Sequence, residues 1–270
     1  MKVQTMKHLC CVLMLLWLPC TSAALPDTVH VYVYHDFPPY LVKSDTTLGL
    51  SEYFVQTMQS TFPNKSIKLH RSSKPDVLKK IEAGDSLIIL WVNPLWFGKY
   101  RQQLVFTTPI TWDSDHLLSR ADNPIKFKGV TSLYGKTQCG LTSHFYKFID
   151  ASIKSGKVTL HQEKNMPACV AAINKGLADY VVIDKSAWLN MFTATQKKQY
   201  YLSHEAVDSF SRSALLTKDL SPLLPALNKA INALRHSPDW QTKMKAIGGD
   251  EFLDLFNLDL FEIIELEAQP

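Results

Sequence analysis

Two segments of this chain repeat one local pattern, and the repetition limits the fold more than any other feature of the sequence. The segments are DVLKKIEAGDSLIILW, residues 76–91, and ACVAAINKGLADYVVID, residues 168–184. In each, apolar residues at helical spacing lead to a glycine, Gly84 or Gly176, and an aspartate then precedes an apolar run. This order predicts a helix, a glycine at its C-terminal end and a buried strand.

Helix, glycine and strand units are common in α/β proteins, so chance is the alternative explanation of the repeat. The aspartate before each strand, Asp85 or Asp179, argues against chance, and Asp179 is expected to cap or pair locally. Each half also opens with a predicted strand, at residues 29–34 and 136–140. We therefore predict an α/β fold of two similar lobes.

Two extended segments connect the predicted lobes. Residues 106–120 contain Pro109 and a mixture of apolar and polar residues without helical period, and residues 210–219 have a similar character. A chain that passes twice between two lobes forms a hinge of two crossing strands. The predicted boundaries follow these crossings, with lobe one at residues 25–112 and 213–249 and lobe two at residues 113–212.

The C-terminal part is predicted to return to lobe one. Residues 221–236 and 238–247 have the pattern of two amphipathic helices, the second closed by Gly248 and Gly249. Residues 250–270 form an extension with seven acidic side chains and no basic one, among dense Leu, Phe and Ile. Because this extension is too apolar for a free tail, we predict that it docks on lobe one or on a partner.

The first 24 residues have the pattern of a secretory signal peptide. Two lysines precede an apolar run at residues 9–18, and small residues follow before the expected cleavage after Ala23 or Ala24. A membrane anchor is the alternative, but the run is short of the roughly 20 residues that a spanning helix needs. Lipid attachment at Cys20 is a less favoured outcome because a proline precedes that cysteine.

Loss of the signal peptide would leave 27 basic and 25 acidic residues, a formal charge of +2. This balance indicates neither a nucleic-acid partner nor a membrane-surface partner. Only Cys139 and Cys169 of the five cysteines would remain. An even pair in an oxidising compartment suggests a disulfide, and two buried free thiols are the alternative.

Five further segments follow one another in a characteristic order. DFPPYLVKSDTTLGLSEYFVQTM holds an aromatic-Pro-Pro-aromatic turn and a Gly before a helix, and EAGDSLIILWVNPLWFGKYRQQLVFTTPI runs from a helix to an Arg and a Phe-Thr-Thr-Pro sequence. YGKTQCGLTSHFY, GLADYVVID and LNKAINALRHSPDWQTKMKAIG come later. Together they resemble the type 2 periplasmic solute-binding proteins, in the branch that binds polar amino acids for ABC transporters, over residues 29–249.

The resemblance implies a monomeric periplasmic protein that closes a cleft around a small polar, amino-acid-like solute and delivers it to an ABC permease. Arg101 matches the family's carboxylate-binding arginine, although it is one residue nearer to Phe106 than usual, and a surface position is the alternative. Asp184 matches the acid that meets the ammonium group, and a helix N-cap is the alternative. Core packing or helix capping is the alternative for the other candidate contacts, which are Phe37, Tyr40, Trp91, Asn93, Trp96, Thr142 and Ser143.

The sequence holds no recognisable catalytic or metal motif. GxSxG, HExxH, a Walker glycine loop and CxxC are all missing, and His30 and His35 would point to opposite faces of a strand. We therefore expect neither an enzyme nor a bound cofactor or metal. Two alternatives stay open: a module that signals to a membrane sensor through the extension, and a dehydratase-like enzyme on the same scaffold, which a cleft acid of raised pKa would favour.

Overall fold

The computed structural model describes residues 25–41, 48–142 and 144–257. The predicted signal peptide, Ser143 and the extension beyond residue 257 lie outside the described residues. The strands are β1 (Thr28–Val33), β2 (Ser66–Arg71), β3 (Ile88–Val92), β4 (Leu104–Phe106), β5 (Thr111–Arg120), β6 (Thr137–Leu141), β7 (Thr159–Glu163), β8 (Tyr180–Asp184), β9 (Tyr200–Leu202) and β10 (Asp208–Thr217).

The α-helices pack around this sheet. They are α1 (Leu50–Thr61), α2 (Lys74–Ala83), α3 (Asp150–Lys154), α4 (Met166–Asn174), α5 (Lys185–Met191), α6 (Ala194–Lys197), α7 (Leu224–Arg235) and α8 (Pro238–Asn257). None of the helices in the described ranges is both long enough and apolar enough to cross a membrane.

The strands form one continuous sheet in the order β2-β1-β3-β10-β5-β8-β6-β7, with β4 beside β10 and β9 beside β5. Strands β1, β2 and β3 run parallel in lobe one, and β6, β7 and β8 run parallel in lobe two. Strand β10 serves both lobes, because residues 208–212 pair with β5 and residues 213–217 pair with β3 and β4. This confirms the predicted α/β fold with two crossing strands as the hinge.

The repeated sequence pattern gives the same local structure twice. Helix α2 is followed by Gly84 at φ 80° and then by β3, and α4 is followed by Gly176 at φ 72° and then by β8. Glycine adopts this left-handed conformation without the steric cost that a Cβ atom brings. Asp179 accepts a hydrogen bond from the Thr137 amide at 2.7 Å. Thr137 is 42 residues away on β6, so Asp179 links the start of β8 to β6 and does not bond locally as predicted.

Each lobe has its own apolar core, and the two cores are in contact. The largest core cluster lies in lobe one and includes Val31, Phe54 and Trp91, while a lobe-two cluster forms around Cys139. Phe37 is partly buried and packs against both clusters. The lobes are therefore in contact, and Phe37 lies between them.

Cys139 on β6 and Cys169 on α4 form a disulfide, and both residues are wholly buried. The bond confirms the predicted pairing. It fastens the helix of the second repeated unit to the sheet of lobe two, across 30 residues of sequence.

Replacing both cysteines with alanine should lower the free energy of unfolding by about 2–4 kcal/mol, because the bond restricts the unfolded chain across this loop. Urea unfolding of the wild type and of the double variant measures the loss. Reduction of the wild type should produce a similar loss, whereas treatment of the double variant with the same reductant should change nothing. A difference under about 0.5 kcal/mol would contradict a stabilising role.

Helix α8 is longer than predicted. The sequence placed its end at Ile247, but the helix continues through a kink at Gly248 and Gly249 to Asn257. The helix continues because Phe252 and Phe256 are buried in the lobe-one core. The two rings contact each other there, and Phe256 also contacts Trp240. The described part of the extension therefore packs on lobe one.

The same segment also reaches lobe two and the hinge. Glu251 forms an ion pair with Lys185 of α5 at 3.1 Å, and the Leu255 carbonyl accepts a hydrogen bond from the Thr111 hydroxyl of β5 at 2.6 Å. Residues 250–256 thus contact lobe one, lobe two and a crossing strand at once.

Candidate interlobe binding site

A buried arginine lies where the crossing strands meet both lobes. Arg212 of β10 has no solvent exposure. Its Nε donates to Asp113 Oδ2 at 2.9 Å, its Nη2 to Asp184 Oδ2 at 2.7 Å, and its Nη1 to the Trp91 carbonyl at 2.8 Å. A guanidinium keeps its charge in proteins, and a buried charge is tolerated only when it is paired and hydrogen-bonded.

Strand register brings these charged groups together. Arg212 pairs with Thr111 across the β10–β5 ladder, and Phe210 pairs with Asp113. Residues two apart on a strand share a face, so Arg212, Phe210 and Asp113 project to the same side of the sheet. Asp184 joins them from the end of the neighbouring strand β8.

Asp113 is also wholly buried, and donors from several elements satisfy its carboxylate. Besides Arg212, it accepts hydrogen bonds from the Ser186 hydroxyl at 2.6 Å, the Ser186 amide at 3.2 Å and the Tyr40 hydroxyl at 3.1 Å. Tyr40 belongs to lobe one and Ser186 to lobe two. This hydrogen-bonded cluster therefore ties both lobes to the hinge.

Aromatic rings cover the guanidinium group of Arg212. The distances from its Cζ atom to the ring centroids are 4.9 Å for Tyr40, 4.9 Å for Phe210 and 5.5 Å for Trp96. Contacts of this kind attract a cation to the face of the ring, and more strongly where water is excluded. Trp96 also contacts Phe210 and His35, so rings of lobe one and the hinge form one continuous wall.

The backbone of Trp91 has an unusual conformation at this site. Its φ is 63°, in the left-handed region that β-branched and bulky residues rarely adopt. The indole Nε1 donates to Ser51 Oγ at 2.8 Å within the lobe-one core, while the carbonyl accepts from Arg212. Burial of the ring and the bond to Arg212 together hold this conformation.

Two carboxyl groups of the site lie side by side. Asp115 of β5 and Asp184 of β8 are directly opposite each other in the antiparallel register. Burial and their mutual proximity raise the pKa of Asp115 well above its usual value, and burial also raises the pKa of Asp184 although Arg212 opposes the shift. Two carboxyl groups this close disfavour ionisation of both at once.

The groups around this pair belong to both lobes. Desolvation lowers the pKa of His144 in lobe two to about 4, helped by the charges of Lys74 and Arg212, and raises the pKa of Tyr146 to about 12. Desolvation also raises the pKa of Tyr34 in lobe one. His144 is nevertheless exposed, whereas Tyr34 and Tyr146 are partly exposed. Tyrosine side chains that are partly enclosed yet reachable by solvent are expected on the walls of a cleft.

Comparison with known proteins supports a fold assignment. No protein-family model matches the sequence, and no curated protein sequence matches it. An ancestral arginine-binding protein bound to arginine is similar with a TM-score of 0.69 and 14% identity, over 84% of this chain and 100% of that chain. The GluR0 ligand-binding core from Nostoc punctiforme in complex with L-glutamate is similar with a TM-score of 0.64 and 16% identity, over 82% of this chain and 99% of that chain. The substrate-binding protein of an amino acid ABC transporter is similar with a TM-score of 0.63 and 14% identity, over 82% of this chain and 98% of that chain.

The chain has the two-lobed fold of the periplasmic binding proteins. Because the sequence identities are only 14–16%, the similarity supports a shared fold alone. In open α/β sheets, ligands bind outside the carboxyl ends of the strands. In this binding-protein fold, the carboxyl end of β8 carries Asp184 and the cluster around Arg212 adjoins it.

Four of the predicted contacts meet at the cluster. Phe37 lies between the lobes, Tyr40 and Trp96 contact Arg212, and Asp184 pairs with Arg212. Asp184 occupies the N-cap position of α5, but its side chain makes no capping hydrogen bond. Its carboxylate is therefore directed to the interlobe cluster, and 19% of the side chain stays exposed.

Two other predicted contacts are packed inside the binding-protein fold. The Trp91 side chain is fully buried, and only its carbonyl reaches the cluster. Asn93 is 3% exposed, and its amide donates to the Ser211 carbonyl at 3.0 Å while its oxygen accepts from the Leu95 amide. Both side chains serve the core and the loop, so a solute would meet them only after that packing opened.

The remaining predicted contacts are Arg101, Thr142 and Ser143. Arg101 is exposed in the turn after the 3₁₀ helix Pro94–Tyr100, and the arginine that joins Asp184 is Arg212 instead. Thr142 is exposed, and its hydroxyl donates to the Glu163 carbonyl at 3.2 Å. Ser143 is outside the described residues. Within those residues, no group of three or more His, Cys, Asp or Glu side chains could hold a metal ion.

Proposed function

We propose that this protein captures a small polar, amino-acid-like solute in the cleft between its lobes. One observation carries the proposal: Asp184 does not cap its helix, and its partly exposed carboxylate is held at the strand end where this fold binds ligands. Proteins of similar structure are bound to arginine, glutamine or L-glutamate.

The chemistry of the cleft supports a polar solute over an apolar one. An ammonium group that leaves water needs an anionic partner, and Asp184 is the candidate for that role. Phe37 and Trp96 are partly exposed rings from lobe one that would cover the apolar part of the solute. We propose Phe37, Tyr40, Trp96 and Asp184 as the principal contacts, with Thr142 and Ser143 as candidates from the lobe-two loop.

Closure would couple binding to a change in shape. A ligand that contacts both lobes stabilises the closed arrangement because it binds that state better. We further propose an exported, monomeric protein in the periplasm that presents its closed form to an ABC permease. The buried disulfide fits such an oxidising compartment. Arg101, as an exposed arginine, is a candidate contact for that membrane partner.

A thermal-shift screen tests the binding proposal. The mature chain, unfolded and refolded to strip any bound solute, is heated with single amino acids, amines and carboxylates. A ligand at about 100 times its Kd adds about 2.7 kcal/mol, which in a chain of this size raises the melting temperature by about 5–10 °C. The absence of any shift across the whole panel would refute the proposal.

Two matched variants locate the binding site. Asp184→Asn should weaken binding of a hit about 10- to 100-fold, since it removes one charge-assisted hydrogen bond. Asp122→Asn removes an exposed carboxylate on the lobe-two surface and should change nothing. Equal affinities of the two variants would remove Asp184 from the site. Proton NMR of the hit after incubation checks for turnover, and conversion of the compound would identify an enzyme instead.

A further inference from the structure

The last part of α8 connects the two lobes. Residues 250–257 follow the kink at Gly248 and Gly249, and we call them the C-terminal strap. Phe252 and Phe256 are buried in the lobe-one core and anchor the strap there. Because close-packed side chains move together with their surroundings, the strap moves with lobe one. Any contact that it makes with lobe two therefore joins one lobe to the other.

The charge of the strap faces lobe two. Glu251 forms its ion pair with Lys185, in the first turn of α5, at 3.1 Å. Lys197 of α6 also lies within the field of Glu251. Desolvation lowers the pKa of Lys197, and the negative charge of Glu251 opposes that shift. One carboxylate of the strap thus attracts two lysines of lobe two.

The kink of α8 allows α5 to approach closely. A Cβ atom on Gly248 would lie 3.0 Å from Asn190 Nδ2 of α5 and 2.6 Å from Phe252 Cβ. Both distances are shorter than ordinary van der Waals contacts, so a larger residue would push the neighbours away. Leu189, beside Asn190, also packs on the lobe-one core. Helix α5 of lobe two is therefore in contact with lobe one along the kink and the strap.

The same helix begins at the interlobe site. Asp184, at its N-cap position, pairs with Arg212 at 2.7 Å. The Ser186 hydroxyl lies 2.8 Å from the hydroxyl of Tyr40 in lobe one. Lys185, between these two residues in the sequence, pairs with the strap instead. Less than one helical turn therefore separates the strap contact from the groups that face the cleft.

The strap is also attached to the hinge. The Leu255 carbonyl accepts the hydrogen bond from the Thr111 hydroxyl on β5 at 2.6 Å. A rotation of the lobes about the crossing strands would move this bond little, because it lies on a crossing strand. The same rotation would displace α5 from Glu251, since the helix belongs to lobe two and the strap is anchored in lobe one.

We propose that the C-terminal strap shifts the balance between open and closed lobes, because it holds α5 in the arrangement in which Ser186 contacts Tyr40. The inference concerns the motion that accompanies the proposed solute binding, and it holds for any solute. An exposed ion pair changes an equilibrium by up to about fivefold. Apparent affinity scales with the fraction of chains in the binding-competent arrangement, so the strap would adjust affinity without touching the solute.

Distances between two spin labels test the inference without any solute. Gln56→Cys on α1 and Lys175→Cys after α4 supply exposed labelling positions in different lobes, while the native cysteines are buried in their disulfide. Glu251→Lys replaces attraction to Lys185 and Lys197 with repulsion. We expect this variant to lower the population at the wild-type distance, relative to other distances, by about two- to fivefold in pulsed electron paramagnetic resonance. Salt at about 1 M should reduce the difference because it screens exposed charges.

Asp239→Lys is the matched control. It reverses the charge of an ion pair at 2.6 Å with Lys243 on the same helix, but both partners belong to lobe one, so the distances should not change. Adding Lys185→Glu to Glu251→Lys restores opposite charges and should recover most of the wild-type distribution. Urea unfolding confirms that each variant is folded before it is labelled.

Two outcomes would overturn the inference. One is the same distance distribution in the wild type, Glu251→Lys and Asp239→Lys. The other is a change with Asp239→Lys as large as the change with Glu251→Lys, because the effect would then not depend on a contact between lobes. Either outcome leaves the proposed solute binding intact, since the thermal-shift screen tests that function separately.

Discussion

Replacing Arg212 with methionine should lower the free energy of unfolding by about 3–5 kcal/mol, because it leaves Asp113 buried without its cation. Both side chains are fully buried and 2.9 Å apart, and water cannot replace the lost partner. Methionine keeps much of the apolar volume, so the lost charge accounts for most of the effect. Urea unfolding at neutral pH, followed by tryptophan fluorescence and circular dichroism, measures the loss.

Arg101→Met is the matched control for this experiment. Arg101 is exposed in a turn, and the same substitution there should change the free energy of unfolding by less than about 0.5 kcal/mol. Combining Arg212→Met with Asp113→Asn should recover part of the loss, since the unpaired buried charge is then gone. Equal effects of the two arginine variants would show that Arg212 is not paired inside the folded protein.

Replacing Phe252 with alanine should also cost about 3–5 kcal/mol, the usual loss for a large aromatic side chain in a core. Phe252 is 1% exposed and contacts Phe256 inside the lobe-one cluster. The same unfolding measurement applies. The expected size of the effect follows from burial, although the sequence placed this residue in an extension beyond the lobe.

Asp254→Ala is the neighbouring control, because Asp254 is exposed on the same helix. It should change the free energy of unfolding by less than about 0.5 kcal/mol. Limited proteolysis adds an independent test, since a docked segment resists cleavage after Gly249 and an undocked one does not. If Phe252→Ala were as mild as Asp254→Ala and cleavage were rapid, the segment would not belong to the core.

The parts of the fold that the sequence predicts are those with local signals. Gly84 and Gly176 mark the ends of two helices because only a residue without a Cβ atom adopts a positive φ easily. The crossing strands are also recognisable, from extended patterns without helical period. The end of α8 is not recognisable from the sequence. Gly248 and Gly249 resemble the glycines that end α2 and α4, but the helix continues past them because Phe252 and Phe256 are buried.

The centre of the candidate site escapes sequence reasoning because it depends on strand pairing. Arg212 and Asp113 are 99 residues apart, and their contact follows from the register of β10 on β5. The sequence does hold a signal, because Arg212 in SFSRSALL and Asp113 in ITWDSDHLL are charged residues in predicted strands. A buried strand tolerates such charges only in pairs. Motif order pointed to Arg101, which the structure places in an exposed turn.

The two crossing segments are hydrogen-bonded to each other along the hinge. The Thr107 amide donates to the Ala214 carbonyl at 3.0 Å, and the Ile110 amide donates to the Arg212 carbonyl at 2.7 Å, just before β5 pairs with β10. Such a ribbon can twist but cannot separate without losing backbone hydrogen bonds. Torsional elasticity of this two-stranded ribbon therefore contributes to the angle between the lobes, and its stiffness would affect both the rate and the range of cleft opening.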